Sequence, residues 1–384
     1  MKGKKSKIVW LYILIGVIVF TIGLYLIVAF TNVPILSDMR NIWIETAMTT
    51  ADHQWLATKL FPKSVIDEVM SKKVEDTGKI GVTNIITNTS NGLNNGDNID
   101  YNIGKLQANL NNIKESEQNS DSTVVEIPNE VADVTNPIFS DEDEFGNKVV
   151  VNDKEQGIKI VEVKTSTYTG QIVFIDDPSR VFVADTDKKG QRGELILNYL
   201  DKYDAIVGIN ANGFADAEGK GLGGDIIGCS VAEGEYWGNH SFSNYTTIGF
   251  DTDNRLVVGK LDNPEDYNLR DAGQFKPALI IDGEVLIKGT AGWGMQPRTV
   301  VAQRADGVVM FLVVDGRQPG HSIGITMGEA AELLYQYGAV TAAACDGGSS
   351  SVLAYNGEII NSPSTPMETG RYLPNAFLVR RKQN

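Results

Sequence analysis

Two Asp-Gly steps in the second half of the chain each close an apolar run. Val308–Val314 (VVMFLVV) ends at Asp315-Gly316-Arg317, and Ala339–Cys345 (AVTAAAC) ends at Asp346-Gly347-Gly348-Ser349-Ser350-Ser351. A carboxylate at a strand end is placed to stabilise a developing cation or to activate water. Gly347 and Gly348 leave backbone N–H groups unobstructed, and Ser349 and Ser350 add hydroxyls, which suits a phosphate or carboxylate ligand. Arg298 and Arg317 lie just before and just after the first run, and guanidinium matches phosphate with a two-pronged fork. Each piece alone also reads as a turn, a Gly/Ser loop or a surface ion pair. Their convergence is what points to chemistry on an anion.

Convergence depends on the elements between them. Thr326-x-x-Glu329 is a capping box, and Ala330, Leu333, Leu334 and Tyr337 recur as one apolar helical face. Gly338 then fits a left-handed stop. The pattern is strand–helix–strand, which predicts two parallel strands joined by a right-handed crossover. Parallel strands end on the same edge, where ligands of such sheets bind. Asp315 and Asp346 are then about 5 Å apart if the strands are adjacent, or about 10 Å with one strand between. Lys202–Gly213 aligns without gaps to Gln336–Gly347, both reading as helix end, strand and polar-Gly turn, so that Asn212 takes a place equivalent to Asp346.

Other patterns lead elsewhere. Gly221-x-Gly223 lacks the third glycine of a dinucleotide fingerprint, and neither GxxxxGK[ST] nor GxSxG occurs. His53, His240 and His321 are too scattered for a zinc triad, and His240 and His321 read as structural. Asp251-x-Asp253-Asn254 offers oxygens to calcium, but a hairpin turn explains it more simply. No cofactor is required by the sequence, and the metal requirement stays open. Cys229 and Cys345 read either as a bridge or as two separate thiols.

The whole chain has 384 residues and a net charge of -15. Ile8–Phe30 is an uncharged apolar run, long enough to cross a bilayer. Lys2, Lys4, Lys5 and Lys7 precede it, and no basic residue follows until Arg40, which predicts a cytoplasmic N-terminus and an outward remainder. Without residues 1–30 the chain keeps 30 basic and 49 acidic residues, a net -19, which argues against a nucleic-acid partner. The expected organisation is a tail (1–7), a transmembrane anchor (8–30), a juxtamembrane helical segment (31–75) with a helix capped at Ser37-Asp38, an Asn-rich flexible stalk (76–134) with a short helix at 105–118, and one domain (135–384). That domain opens with strands at 157–166, 170–175 and 180–184, followed by a helix at 194–203 and a strand at 205–209. Asp282-Gly283 and Asp306-Gly307 are hairpin turns. The expected class is α+β, a mixed sheet with flanking helices around the parallel strand–helix–strand core.

An ordered series of motifs resembles the phosphodiester glycosidase family, to which the "uncovering enzyme" of lysosomal targeting belongs. It comprises Ile209-Asn-Ala-Asn-Gly-Phe214, Pro297-Arg298-Thr299, Val314-Asp-Gly-Arg317, Gly324-Ile-Thr326, Asp346-Gly-Gly-Ser349 and Arg371…Pro374-Asn375-Ala376, across roughly residues 155–384. The family favours Asp-Gly-Gly-Gly-Ser where this chain has Asp346-Gly-Gly-Ser-Ser. The resemblance implies cleavage of a sugar-1-phosphodiester on a surface glycan, exopolysaccharide or wall polymer, at the outer face of a bacterial membrane. It assigns Asp315 and Asp346 as the carboxylate pair, and Arg298, Arg317 and Gly347–Ser350 to the phosphate. Asn210, Asn212, Arg371 and Asn375 are expected to bind the sugar. A glycopolymer phosphotransferase or a non-catalytic polymer-binding module would share the same anchor and anion site.

Overall fold

The computed structural model describes all residues except 1, 32, 51–52, 75–77, 86–138, 217–220, 240–242, 368 and 384. It divides into two units, Met1–Lys73 with Gly292–Gly294, and Val74–Ala291 with Met295–Asn384.

The first unit is helical: α1 (Lys2–Phe30), α2 (Pro34–Met48), α3 (Trp55–Thr58) and α4 (Lys63–Met70). Within α1, Tyr12–Phe30 is long and apolar enough to cross a membrane. Arg40 reaches the end of that helix, donating to the Ala29 and Thr31 carbonyls at 3.3 Å each, where a cation satisfies terminal carbonyls. The expected cap at Ser37-Asp38 is corrected. α2 begins three residues earlier because Pro34 suits a first helical position, having no N–H to leave unpaired. Ile44, Ala47, Ala57, Ile66 and Val69 form the small core of α2–α4.

The described residues of the second unit form nineteen strands: β1 (Gly81–Val82), β2 (Lys148–Asp153), β3 (Ile158–Lys164), β4 (Thr169–Ile175), β5 (Val181–Asp185), β6 (Ala205–Asn210), β7 (Cys229–Ala232), β8 (Glu235–Gly238), β9 (Thr246–Asp251), β10 (Leu256–Gly259), β11 (Leu269–Phe275), β12 (Ala278–Ile281), β13 (Glu284–Val285), β14 (Arg298–Arg304), β15 (Val309–Val314), β16 (Ala339–Ala344), β17 (Leu353–Tyr355), β18 (Glu358–Ile359) and β19 (Asn375–Arg380). Among the described residues two α-helices accompany these strands, α5 (Ile196–Tyr203) and α6 (Met327–Gln336). The class is α+β as expected, but the single mixed sheet is replaced by three sheets, and every pairing among the described residues is antiparallel. β1 lies inside the segment expected as stalk and pairs with β10. The rest of that stalk from 86, with its expected helix at 105–118, lies outside the described residues.

The strand–helix–strand unit is β15–α6–β16. Its strands run parallel with β14 antiparallel between them. The capping box forms, with Glu329 N–H donating to Thr326 Oγ1 (3.1 Å) and Thr326 N–H to Glu329 Oε2 (2.9 Å). Gly338 ends the helix at φ +87°.

The same plan occurs twice. One sheet contains the order β13-β12-β16-β14-β15, and another is β18-β17-β6-β19-β5. In each, a helix joins the strand at one end of the series to the third from the other end, an antiparallel strand lies between them, and a tight hairpin adds the remaining pair. The Lys202–Gly213 and Gln336–Gly347 segments occupy matching places in the two series. Phe311 of β15 and Phe377 of β19 meet across the core with ring centroids 6.4 Å apart, a contact worth about 0.5–1.5 kcal/mol beyond burial. All three sheets contribute to that core through residues such as Val173, Ile206 and Ile248. α5 covers the outer face of its sheet, with Ile196, Tyr199 and Leu200 against Phe182 and Leu378.

Candidate functional site

Arg298 starts β14 between the ends of β15 and β16. It pairs with Val314 on one side, and on the other Cys345 N–H donates to Thr299 O (2.9 Å). Asp315 and Asp346 therefore leave the sheet on either side of Pro297-Arg298. One strand separates them, a spacing of about 10 Å.

The loop after Asp346 is held from both halves of the fold. Asp346 N–H donates to Ala211 O (2.9 Å), Asn210 Nδ2 to Asp346 O (2.7 Å), and Gly348 N–H to Pro297 O (2.9 Å). A Cβ at position 347 would stand 2.9 Å from Pro297 O. At position 348, where φ is +62°, a Cβ would stand 2.8 Å from the Arg317 guanidinium. Both positions thus require glycine. Arg317 donates to Ser349 Oγ (3.3 Å) and to Gln296 Oε1 (2.6 Å), which ties the two arms of the site together.

Asp346 is half-buried at the start of this loop. Burial raises its pKa to about 6, against the opposing pull of Ser350, Arg371, the Gly347 N–H and Arg317. Arg298 is buried too. Desolvation and then the neighbouring Arg317 charge bring its pKa down to about 9, while Asp346 acts in the opposite sense. Arg371 bonds Asp216 Oδ2 (2.7 Å) and lies over the Phe214 ring at 4.6 Å. Asp346, Arg298, Arg317, Arg371 and the Gly347–Ser350 loop thus form one cluster around a carboxyl that is hard to ionise.

The remaining assigned residues do something else. Asp315 is buried, and both of its oxygens are occupied. Oδ1 accepts from Asn361 Nδ2 (3.0 Å) and Ser362 N–H (2.9 Å), and Oδ2 meets His321 Nε2 (2.8 Å). Asp315 thus holds two loops and an imidazole. His321, read from sequence as structural, is 41% exposed on that carboxylate. A loop histidine six residues after a strand-end aspartate was the available signal.

The three asparagines assigned to sugar contacts are fully buried. Asn210 Oδ1 accepts from Thr299 Oγ1 (2.8 Å) and Val352 N–H (3.2 Å), while its amide holds Asp346 O. Asn212 N–H donates to Asn375 Oδ1 (2.9 Å), and Asn375 Nδ2 donates back to Asn212 Oδ1 (2.9 Å). The Asn212 amide also holds Ile227 O (3.1 Å) and Cys229 O (3.0 Å). These side chains brace backbone and side chains beneath the Asp346 loop.

Cys229 and Cys345 are separate buried thiols. Among the described residues, no three His, Cys, Asp or Glu side chains gather as a metal site. His240 lies outside the described residues. At the suspected calcium site, Asp251 Oδ1 accepts from the Asp253 (3.0 Å) and Arg255 (2.8 Å) N–H groups, and Arg255 Nε pairs with Oδ2 (2.7 Å), which makes it a closed hairpin turn.

Residues 203–380 match the family described as Phosphodiester glycosidase. The SPbeta prophage-derived uncharacterized protein YomE of Bacillus subtilis (strain 168) is 26% identical over 204 residues, covering 50% of this chain and 30% of that protein, so the chain spans about a third of this relative's length. Among solved structures, the catalytic domain of zebrafish N-acetylglucosamine-1-phosphodiester alpha-N-acetylglucosaminidase, auto-inhibited by its pro-peptide, superposes with a TM-score of 0.50 at 19% identity. The match covers 59% of this chain and 82% of that one, a likeness of fold. The family match begins after β5 and takes in the Arg298–Arg317–Asp346 cluster and the amide pair beneath it: residues 203–380 are similar to a phosphodiester glycosidase domain.

Proposed function

We propose that this domain hydrolyses a glycosyl phosphodiester at the anomeric carbon, releasing free sugar and a phosphate monoester. The carrying observation is the placement of Asp346, a half-buried carboxyl among Arg298, Arg317, Arg371 and a loop rich in N–H and hydroxyl donors. At neutral pH Asp346 is mostly ionised and stands ready to stabilise an oxocarbenium-like carbon or to attack it. Arg298, Arg317 and the Gly347–Ser350 donors hold the phosphate, whose charge grows as the C–O bond breaks. A phosphate leaving group departs without a strong acid, so a single reacting carboxylate suffices for bond cleavage. Asp315 acts as a positioning residue, keeping His321 and the 361–362 segment in place. With α1 as an anchor and its lysines inside, the domain faces outward, toward a surface glycan or wall polymer.

The test is turnover of a glycosyl-1-phosphodiester by the full-length chain in detergent micelles, run in ¹⁸O-labelled water. Label is expected in the free sugar, and Asp346→Asn should abolish it. Label in phosphate would instead indicate P–O chemistry of the phosphotransferase type. Binding without turnover would leave a polymer-binding module.

A further inference from the structure

Beyond α1, the first unit leaves large apolar residues exposed on one side of α2. Ile35, Met39 and Trp43 are 72%, 65% and 48% exposed. They recur every four residues, a spacing that stacks them on a single helical face. The other side of α2 is already covered, since Ile44 and Ala47 pack with Ala57, Ile66 and Val69 in the unit's core. Trp55 opens α3 and Leu60 follows its end, and both are about half exposed. A helix with apolar residues on two opposite sides needs something other than water against the second.

α1 determines what that is. Only residues 31–33 separate the two helices, and three residues reach at most about 11 Å. The end of α1 is pinned to α2 by Arg40, which donates to the Ala29 and Thr31 carbonyls. A second tie lies deeper: Tyr25 Oη donates to Leu60 O (2.7 Å). Tyr25 stands five residues before Phe30, where the apolar span ends, or about 7 Å back along the helix axis. With α1 across a bilayer, the end of α3 is therefore drawn below the end of the span, and α2 starts at its mouth. We propose that α2 and α3 lie in the interface of the bilayer that α1 crosses, with Ile35, Met39, Trp43, Trp55 and Leu60 set among the headgroups and upper acyl chains. Interfacial helices sink an apolar side by about 5–10 Å, and Trp and Tyr rings favour that depth. Trp43 Nε1 already donates to Leu56 O (3.2 Å), so its ring enters lipid without stranding a donor. Lys59 Nζ lies 5.6 Å from the centroid of the Trp55 ring, which puts an ammonium beside a ring at the level of lipid phosphates. Asp38, exposed next to Met39, limits the immersion, because its carboxylate stays on the water side. The first unit is then seated on the bilayer by a broad face, beyond the hold of a single crossing helix.

The experiment attaches a polarity-sensitive fluorophore to Met39→Cys or to Glu68→Cys in the full-length chain, reconstituted in phosphatidylcholine vesicles. Glu68 is exposed on α4 beside Asp67 and serves as the water-side control. The unsubstituted chain, with its buried Cys229 and Cys345, gives the background. Quenching by a phosphatidylcholine spin-labelled near its headgroup is expected to be about threefold or more stronger at position 39 than at position 68. Ile35→Cys serves as a second variant should Met39→Cys not fold. Equally weak quenching on the α2 face and at position 68 would overturn the proposal. So would a blue-shifted emission on the α2 face that the lipid spin label does not quench, which would assign that face to a protein partner or a second copy of the chain. Release of the chain from the vesicles by alkaline extraction would overturn the anchor and the interfacial seat together, and would leave the proposed hydrolysis untouched.

Discussion

Asn212 and Asn375 bond one another reciprocally in the buried floor of the site, backbone N–H to side-chain carbonyl in one direction and side-chain amide to carbonyl in the other. Neither touches solvent. Removing one leaves the other's polar atoms buried without a partner, a loss of about 1–3 kcal/mol for each group so exposed. Asn375→Ala should therefore lower the melting temperature by several degrees. A direct sugar contact would instead appear as a raised KM at unchanged melting temperature, and thermal unfolding beside steady-state kinetics distinguishes the two.

Asp346→Asn should separate stability from activity. Turnover is expected to fall by at least about 10³-fold, since no neighbouring carboxylate replaces it. Stability at pH 7.5 is expected to hold or rise, because a desolvated carboxylate that resists ionisation is replaced by a neutral amide. The ionisation penalty removed is at most about 3 kcal/mol. Melting curves of the two proteins at pH 7.5 check the second half of this expectation.

The pH dependence carries a definite sign. Asp346 has a folded pKa of about 6 against an ordinary 3.8. Between those values the folded protein binds the proton more tightly than the unfolded chain. This group's contribution to stability is therefore greatest below about 4, declines as pH rises, and is fully lost above about 6. Activity runs the other way if Asp346 works ionised: kcat/KM should fall on the acid side with an apparent pKa near 6. An acid limb near 4 would remove Asp346 from that role.

Arg317 should be more sensitive than its charge alone implies. Its two donors join Ser349 to Gln296, and its backbone sits at φ +59°. Arg317→Lys keeps a cation but loses the fork, so kcat/KM is expected to drop about tenfold or more. Inhibition by inorganic phosphate should weaken in parallel, which a phosphate titration of both proteins would register.

Asp315→Ala should register first as instability. Three donors lose their acceptor at once, from Asn361, Ser362 and His321, and the expected loss is about 2–4 kcal/mol. Chemical denaturation measures it. His321→Gln, at a half-exposed position, should leave the midpoint nearly unchanged.

What could be read from sequence was local. The capping box at Thr326, the stop at Gly338, the turns at Asp282 and Asp306 and the apolar runs all depend on neighbours within a few residues. The placement of Asp315 and Asp346 on one edge followed from those elements and from chain handedness. Asn210 reaches Asp346, and Asn212 reaches Asn375, each more than a hundred residues along the chain, so nothing local distinguishes an amide that faces a sugar from one that braces a loop. The Asp315–His321 contact was closer at hand, but it depends on the 318–322 turn folding back on itself, with Ser322 N–H on Gln318 O. The division into three sheets was also hidden, because strand length and alternation are the same whichever sheet a strand joins.

The doubled series of strands makes the molecule its own control. At matching places after β6 and β16, one copy carries Asn212 facing Asn375, and the other carries Asp346 near Arg298. Similar backbone frames thus hold a neutral pair and an ionic pair in a single chain. The neutral copy can satisfy all its bonds internally, and so it contributes rigidity without reactivity. The ionic copy keeps a desolvated carboxyl and a desolvated guanidinium beside each other, a state that free chains avoid. The two places thus show one backbone frame serving a braced neutral pair in one half and a desolvated charged pair in the other.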